Sequence, residues 1–291
     1  MAELPPEQKS ALAALVDFGY IPKGKSLAAI DADITRAITR FQRHAARPYR
    51  MPQDTADVFF GRASGALDAT TLAEIEKWKK NKWVLPLGKF PLVRIDQGGK
   101  LRSDAAAAWS AIVAKVTSAG GTLEGPYGDT TRAFDFKAGT GASRHSFHYA
   151  GRAVDICQAL AGGRGQRYYV AKDPQGANVF WQIWCKVDAG KGTAVKAKEK
   201  DYYDFYSKKE LAMPAGNYID LTKLIQEDGK FERIRAQTGW ESNGKKLEWW
   251  HFQYCVDKQA TIQDEIELIG ISEAQLKQAG WTVKDMDHAP G

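Results

Sequence analysis

Five histidines are spread over 291 residues. Two of them, His145 and His148, fall in one segment, Ser143-Arg-His-Ser-Phe-His-Tyr-Ala-Gly-Arg-Ala-Val-Asp155. A third, His251, closes Glu248-Trp-Trp-His251 and opens an aromatic run, Phe252-Gln-Tyr254. Two imidazoles and a carboxylate, His148, Asp155 and His251, make an ordinary ligand set for a catalytic zinc ion, which takes three protein ligands and keeps a fourth position for water. Gly151 and Ala153 are small and allow close backbone approach between the first two ligands. Glu248 stands three residues before His251. On a helix that spacing shares a face; in a turn entering a strand it can still bring the carboxylate beside a metal. The aromatic run favours the strand. His145 does not fit the spacing to Asp155 and reads as a residue facing substrate or the ligands from outside. Trp249 and Trp250 read first as core, with Trp250 the candidate for a substrate contact. Gly139-Thr-Gly141 lacks the Gly-Lys-Ser/Thr ending of a phosphate loop, and no Gly-x-Ser-x-Gly elbow supports a serine hydrolase.

The elements that must position these residues come in two blocks. Residues 6–17 predict a first helix ending before Gly19. A second starts at an Asp33 cap and buries Ile34, Ile38, Phe41 and Ala45 at helical spacing. A polar loop runs from Arg47 to about Gly65, and a third helix beginning at Asp68 carries Leu72, Ile75 and Trp78 on one face. Trp83–Pro91, with two prolines and a glycine, reads as a linker. Beyond it the pattern mixes helix and strand. Ser103 reads as the cap of a helix with Trp109, Ile112, Val113 and Val116 on one face, ended by Gly120-Gly121. Strand-like runs follow at Arg152–Ile156, Val179–Val187 and Trp249–Val256. Lys191–Asp204 reads as a solvated, lysine-rich loop. Ser272 and Gln275 form a capping box, with Ile271 and Leu276 placed for a hydrophobic staple. The expected class is α+β: a small three-helix domain, residues 1–84, followed by an α+β domain, residues 92–291, with a central antiparallel sheet.

Hydrophobic residues make up 44% and charged residues 26%, a composition that supports a sizeable core. No apolar run is long enough to span a bilayer. The start, Met1-Ala-Glu-Leu-Pro-Pro, does not read as a secretory signal. A net charge of +6 suits an anionic partner without choosing one. Three cysteines, Cys157, Cys185 and Cys255, form no CxxC pair and read as reduced, buried thiols, with a Cys157–Cys255 bridge left open.

Two resemblances follow. Leu12-Ala-Ala-Leu15…Phe18-Gly19-Tyr20, Thr35-Arg-Ala-Ile-Thr-Arg-Phe-Gln-Arg43 and Gly65-Ala-Leu-Asp-Ala-Thr-Thr-Leu72 are similar to the three-helix peptidoglycan-binding domains, although the usual Asp-Gly-x-Phe-Gly turn is missing. The competing reading is a generic helical cap on the next domain. Ser146-x-His148-x-x-Gly151-x-Ala153-x-Asp155 with Glu248-x-x-His251 resembles the M15 family of zinc peptidases, which includes D-Ala-D-Ala carboxypeptidases, D-Ala-D-Ala dipeptidases and phage L-Ala-D-Glu endopeptidases. The match covers about residues 95–256; the 156–247 interval is longer than the family's.

That resemblance implies zinc held by His148, Asp155 and His251, with Glu248 as general base. It also implies an Arg on an upstream loop that binds substrate or polarises the scissile carbonyl: Arg132 in Tyr127-Gly-Asp-Thr-Thr-Arg132, ahead of Arg144. Ser146 would hydrogen-bond a ligand or substrate. The implied activity is hydrolysis of peptidoglycan peptides by a monomer with no nucleic-acid partner and no membrane insertion. The implied enzyme is made in the cytoplasm and reaches the wall by holin-type lysis or a secretion machine. An intracellular D-Ala-D-Ala dipeptidase and a non-catalytic wall-binding module are the rival expectations.

Overall fold

The computed structural model describes residues 3–46, 63–96, 98–123, 125, 127–135, 144–163, 165–255 and 260–289. Most of the expected 47–65 loop, Gly139-Thr-Gly141, Ser143 and Val256 lie outside them.

Helices α1 (Pro6–Asp17), α2 (Ala32–Ala45) and α3 (Ala69–Asn81) form the first unit. Asp31 caps α2 by accepting the Ile34 N–H at 2.9 Å. The cap is therefore Asp31, two residues before the expected Asp33, because its extended backbone aims the carboxylate at the open amides. Asp68 caps α3 through the Thr71 N–H at 2.8 Å. Ile34, Ile38, Phe41 and Ala45 are all buried, as their spacing predicts. They share one core cluster with Trp78, whose ring centroid lies 5.1 Å from that of Phe41. Burying side chains of this size contributes about 1.5–3 kcal/mol each.

The 83–91 segment is bonded on both sides rather than loose. The Leu85 N–H donates to Phe18 O, the Gly88 N–H to Glu267 O and the Phe90 N–H to Leu268 O, each at 2.9 Å. Its prolines and glycine shape a strap between the two units.

The second unit begins with β1 (Leu92–Arg94) and β2 (Lys100–Arg102), a two-stranded ribbon, and α4 (Ser103–Ser118). Ser103 is the first helical residue, and the cap position belongs to Arg102. Then come β3 (Ala153–Asp155), β4 (Tyr168–Gln175), β5 (Asn178–Val187), β6 (Thr193–Val195), β7 (Asp201–Asp204), β8 (Lys209–Ala212) and β9 (Gly216–Asp220). Helix α5 (Leu221–Gln226), β10 (Phe231–Arg233), β11 (His251–Tyr254), α6 (Ile262–Leu268), α7 (Glu273–Gln278) and α8 (Val283–Met286) complete the described elements.

The fold is mixed α+β, as expected, but its antiparallel strands divide into separate sheets. A three-stranded sheet has the order β10-β11-β3, and a six-stranded sheet has the order β6-β9-β5-β4-β7-β8. The larger sheet is made from the long interval after Asp155. The Lys191–Asp204 stretch, expected as a solvated loop, supplies β6 and β7, where Val195, Tyr202 and Tyr203 are buried between exposed neighbours. Alternation along β4 and β5 sends Tyr168, Val170, Trp181, Ile183 and Cys185 to the main core with Trp109 of α4. Tyr169 joins Tyr202 and Tyr218 on the opposite face.

Helix α6 is buried along its whole length, although it carries Asp264, Glu265 and Glu267. Arginines from both sides compensate these charges. Glu265 pairs with Arg102 and, at 2.8 Å, with Arg152. From the first unit, Arg43 Nε lies 2.7 Å from Asp264 Oδ2, and Arg40 pairs with Glu267. On α7, Glu273 binds Arg40 Nη1 and Arg36 Nη1, both at 2.7 Å. The helical unit is thus docked by ion pairs onto α6 and α7. The predicted capping box at Ser272 and Gln275 is present, and Ile271 and Leu276 pack into one cluster with Tyr149 and Trp281. No disulfide forms, and Cys157 and Cys185 are buried. Among the described residues no helix is long and apolar enough to cross a membrane.

Candidate metal centre

The centre is built on the pairing of β3 with β11. In that antiparallel ladder His251 is the register partner of Asp155, and Phe252 of Val154. Directly opposed residues project to the same face, so the ladder alone brings imidazole and carboxylate together. The third group arrives from a one-turn 3-10 helix, Phe147–Ala150, just before β3. Gly151 ends that turn in the left-handed region at φ 63°. A Cβ on Gly151 would come within 2.6 Å of Leu92 Cδ2 and 2.8 Å of Arg102 N. Glycine is therefore required twice over, for the conformation and for the close approach of β2. Ser146 caps the turn by accepting the His148 N–H at 3.3 Å. Its expected hydrogen bond to a ligand is thus made through the ligand's backbone.

His148 Nε2 lies 3.2 Å from Asp155 Oδ1 and 3.2 Å from His251 Nδ1, and His251 Nδ1 lies 2.9 Å from Asp155 Oδ1. The three atoms form a nearly equilateral triangle. Ligands about 2.0–2.1 Å from a tetrahedral zinc stand about 3.3 Å from one another, so this donor set fits such an ion closely. All three residues are buried. Burial opposes the ionisation of Asp155, but hydrogen bonds from His148 and His251 outweigh it and hold the carboxyl well below the usual carboxylate range.

The loop that carries Arg132, residues 127–132, supports this triangle. His148 Nδ1 faces Thr130 O at 3.4 Å, which leaves Nε2 to the centre, and Asp129 Oδ2 stands 3.9 Å from the same Nδ1. The loop is locked to the outer edge of β3: the Gly128 N–H donates to Asp155 O at 2.7 Å and the Asp155 N–H to Asp129 O at 2.8 Å. A Cβ on Gly128 would sit 3.2 Å from Asp155 Cβ. Arg132 belongs to this loop. Its backbone N–H donates to His148 O at 3.0 Å, and its Nε donates to Asp129 Oδ2 at 2.6 Å. The side chain expected to face substrate is therefore also tied to the acid beside His148. The signal for Asp129 was visible only as an acid three residues before Arg132. Arg152, buried between Gly151 and Ala153, also passed unnoticed; it joins Glu265 of α6 to the Tyr254 carbonyl.

Glu248 and His251 occupy the two ends of a turn closed by the His251 N–H donating to Glu248 O at 3.0 Å. The turn leads straight into β11, which settles the choice between helix and strand. The Glu248 side chain is exposed, whereas Trp249 between them is core and accepts the Trp181 indole N–H on its carbonyl at 3.2 Å. Trp250 is half-buried against Trp249. His145 turns away from the centre: its ring stacks on His288 with centroids 3.7 Å apart, and Asp285 Oδ1 lies 4.0 Å from Nε2.

A second buried His/carboxylate group, His44, Asp264 and Glu267, joins the two units. Arg43 and Arg40 already neutralise its carboxylates. A dication there would meet guanidinium charge, so the group acts as an ion-pair junction. Comparison with protein families, with curated proteins and with solved structures finds no match to this chain.

Proposed function

We propose that this chain is a zinc-dependent peptidase that hydrolyses peptide bonds in bacterial peptidoglycan. The observation that carries the reading is the triangle of His148, Asp155 and His251 donor atoms, with edges of 2.9–3.2 Å on a buried β-ladder. When bound there, zinc supplies Lewis-acid polarisation of a carbonyl and acidifies a water. Glu248, exposed at the far end of the turn that delivers His251, takes a proton from the attacking water and returns it to the leaving amine. Arg132, fixed by Asp129, presents its remaining N–H groups to the substrate's carbonyl or carboxylate. The choice of wall peptides rests on the motif resemblance and on the helical unit joined to the peptidase unit. In that unit the Arg-Phe-Gln segment is largely internal: Arg40 docks α6, Phe41 is core, and Gln42 bonds Ala66 O, Thr71 Oγ1 and the Gly65 N–H. Any wall contact therefore uses other residues of the unit.

The test is mass spectrometry of purified peptidoglycan digested by the metal-loaded chain, beside the chelated protein and the His251→Ala variant. New amino termini in stem or cross-bridge peptides, absent from both controls, are the expected result. Intact peptides in the loaded sample would overturn the proposal, and the fragment masses name the bond.

A further inference from the structure

One side chain touches all three segments that carry the metal donors. Arg152 stands three residues before Asp155, Phe147 immediately before His148, and Tyr254 three residues after His251. The β3–β11 register, continued one step beyond Ala153 and Gln253, sets Arg152 opposite Tyr254. The Tyr254 N–H donates to Arg152 O at 2.7 Å. A hydrogen-bonded antiparallel pair ordinarily exchanges a second bond, here from the Arg152 N–H to Tyr254 O. That N–H turns instead to Phe147 O at 3.0 Å, on the turn that delivers His148. The Arg152 guanidinium replaces the diverted bond, with Nη2 donating to Tyr254 O. The guanidinium also lies 4.6 Å over the Phe147 ring, and its Nη1 pairs with Glu265 of α6 at 2.8 Å. Arg152, Glu265, Phe147 and Tyr254 are all buried.

We propose that Arg152 is a positioning residue that fixes the spacing of the three donor atoms. A backbone carries one N–H per residue, so at this position β3 bonds both the His148 turn and β11 only if a side chain supplies the second donor. That side chain must reach a carbonyl on the neighbouring strand, lie flat on an aromatic ring and keep its charge against a buried carboxylate. A planar guanidinium meets all three demands. A Lys ammonium is a point donor, and an apolar side chain leaves Tyr254 O without this bond. Glu265 also binds Arg102, whose backbone N–H donates to Gly151 O at 2.9 Å, so one carboxylate backs both ends of the Gly151–Arg152 reversal. The inference rests on metal binding at the centre and is independent of the substrate.

The test is metal binding by the full chain, with zinc and cobalt(II) as the probes. Arg152→Met keeps a long stem and removes the donors and the charge, while Glu265 stays paired with Arg102. It should hold zinc about 10–100-fold less tightly than the parent, the range for groups that orient a ligand. Cobalt absorption reads donor geometry, and its bands should move or weaken in this variant. Arg152→Lys should recover part of both losses, and Phe147→Leu, which removes only the stacked ring, should show a smaller loss in the same direction. Met213→Ala is the stability control, because Met213 is buried in the separate cluster with Tyr169 and Tyr218; it should bind both ions like the parent. Parent-like affinity and cobalt spectrum in folded Arg152→Met, or an equal loss in Met213→Ala, would overturn the inference and leave the metal centre standing. Should Arg152→Met not fold, parent-like binding by both Arg152→Lys and Phe147→Leu would overturn it. A parent chain that binds neither ion would overturn the metal centre and this inference together.

Discussion

His251 stands opposite Asp155 across the β3–β11 ladder, with its Nδ1 2.9 Å from the carboxylate oxygen. Two of the three donor atoms are therefore set by strand register, and only His148 depends on a turn. Replacing a ligand should remove the ion, whereas replacing the base should not. We expect His251→Ala and His148→Ala to lose both bound zinc and activity. Glu248→Ala should keep about one zinc per chain while turnover falls roughly 10²–10⁴-fold. Metal analysis alongside a peptide-cleavage assay separates the two cases. Near-normal turnover in Glu248→Ala would remove Glu248 from the mechanism.

Asp129 tests the supporting loop. Its carboxylate lies beside His148 Nδ1 and holds Arg132, so it both orients a ligand and fixes the candidate substrate-binding cation. Asp129→Ala should weaken zinc binding by about 10–100-fold. Arg132→Ala should leave metal affinity close to the parent's and raise KM. Competition with a chromogenic chelator reads the first effect and steady-state kinetics the second. Equal metal affinity in Asp129→Ala and the parent would show that Thr130 O alone orients His148.

The clustering of His148, Asp155 and His251 was legible because its spacing is local in part: seven positions separate His148 from Asp155, with Gly151 marking the reversal between them. The helical unit was legible because the apolar face of α2 repeats at helical spacing. The six-stranded sheet was not. Its strands β6, β7 and β8 are short and lysine-flanked, so burial of Val195, Tyr202 and Tyr203 hides inside a polar composition. Nor was α6 readable as buried. Asp264, Glu265 and Glu267 look like a solvated face until arginines more than a hundred positions away are brought onto them.

Those ion pairs predict acid sensitivity. Burial alone would raise the Glu273 carboxyl, but Arg40, Lys277 and Arg36 pull it down to about 2 from the ordinary 4.5. A carboxylate whose folded value is depressed contributes stability that is fully present above its unfolded value and is lost as pH falls through the folded one. The window here runs from about 4.5 down to about 2. The contribution is on the order of 2 kcal/mol. Thermal melts of the parent should fall across this window. Glu273→Gln should start lower at neutral pH and show a shallower acid limb. Parallel acid limbs for the two proteins would assign the loss to other carboxylates.

The docking of the helical unit gives the last prediction. The proposed metal ligands, Glu248 and Arg132 all lie after residue 92, so a chain starting at residue 90 holds every one of them. Sequence organisation alone suggests that it should fold and cut soluble peptides. The ion pairs argue otherwise. Without α2, Asp264 and Glu267 of the buried helix α6 lose Arg43 and Arg40, and Glu273 loses both Arg36 and Arg40. Glu267 is already pushed upward by burial, and Arg40 and Gln263 oppose that shift. Leaving one partner of a buried pair uncompensated costs about 3–5 kcal/mol, a large share of a typical domain's stability. Arg40→Ala in the full chain should therefore destabilise by about that amount in chemical denaturation. The 90–291 fragment should melt well below the full chain or fail to fold. Arg40→Lys, which keeps a charge but not the two-armed contact with Glu267 and Glu273, should fall between Arg40→Ala and the parent. Because α6 also carries Glu265, which holds Arg152 at the entrance to β3, the loosened helix should weaken zinc retention as well. A fragment that melts with the full chain and holds zinc equally well would show that the helical unit is an independent module and that its ion pairs are dispensable.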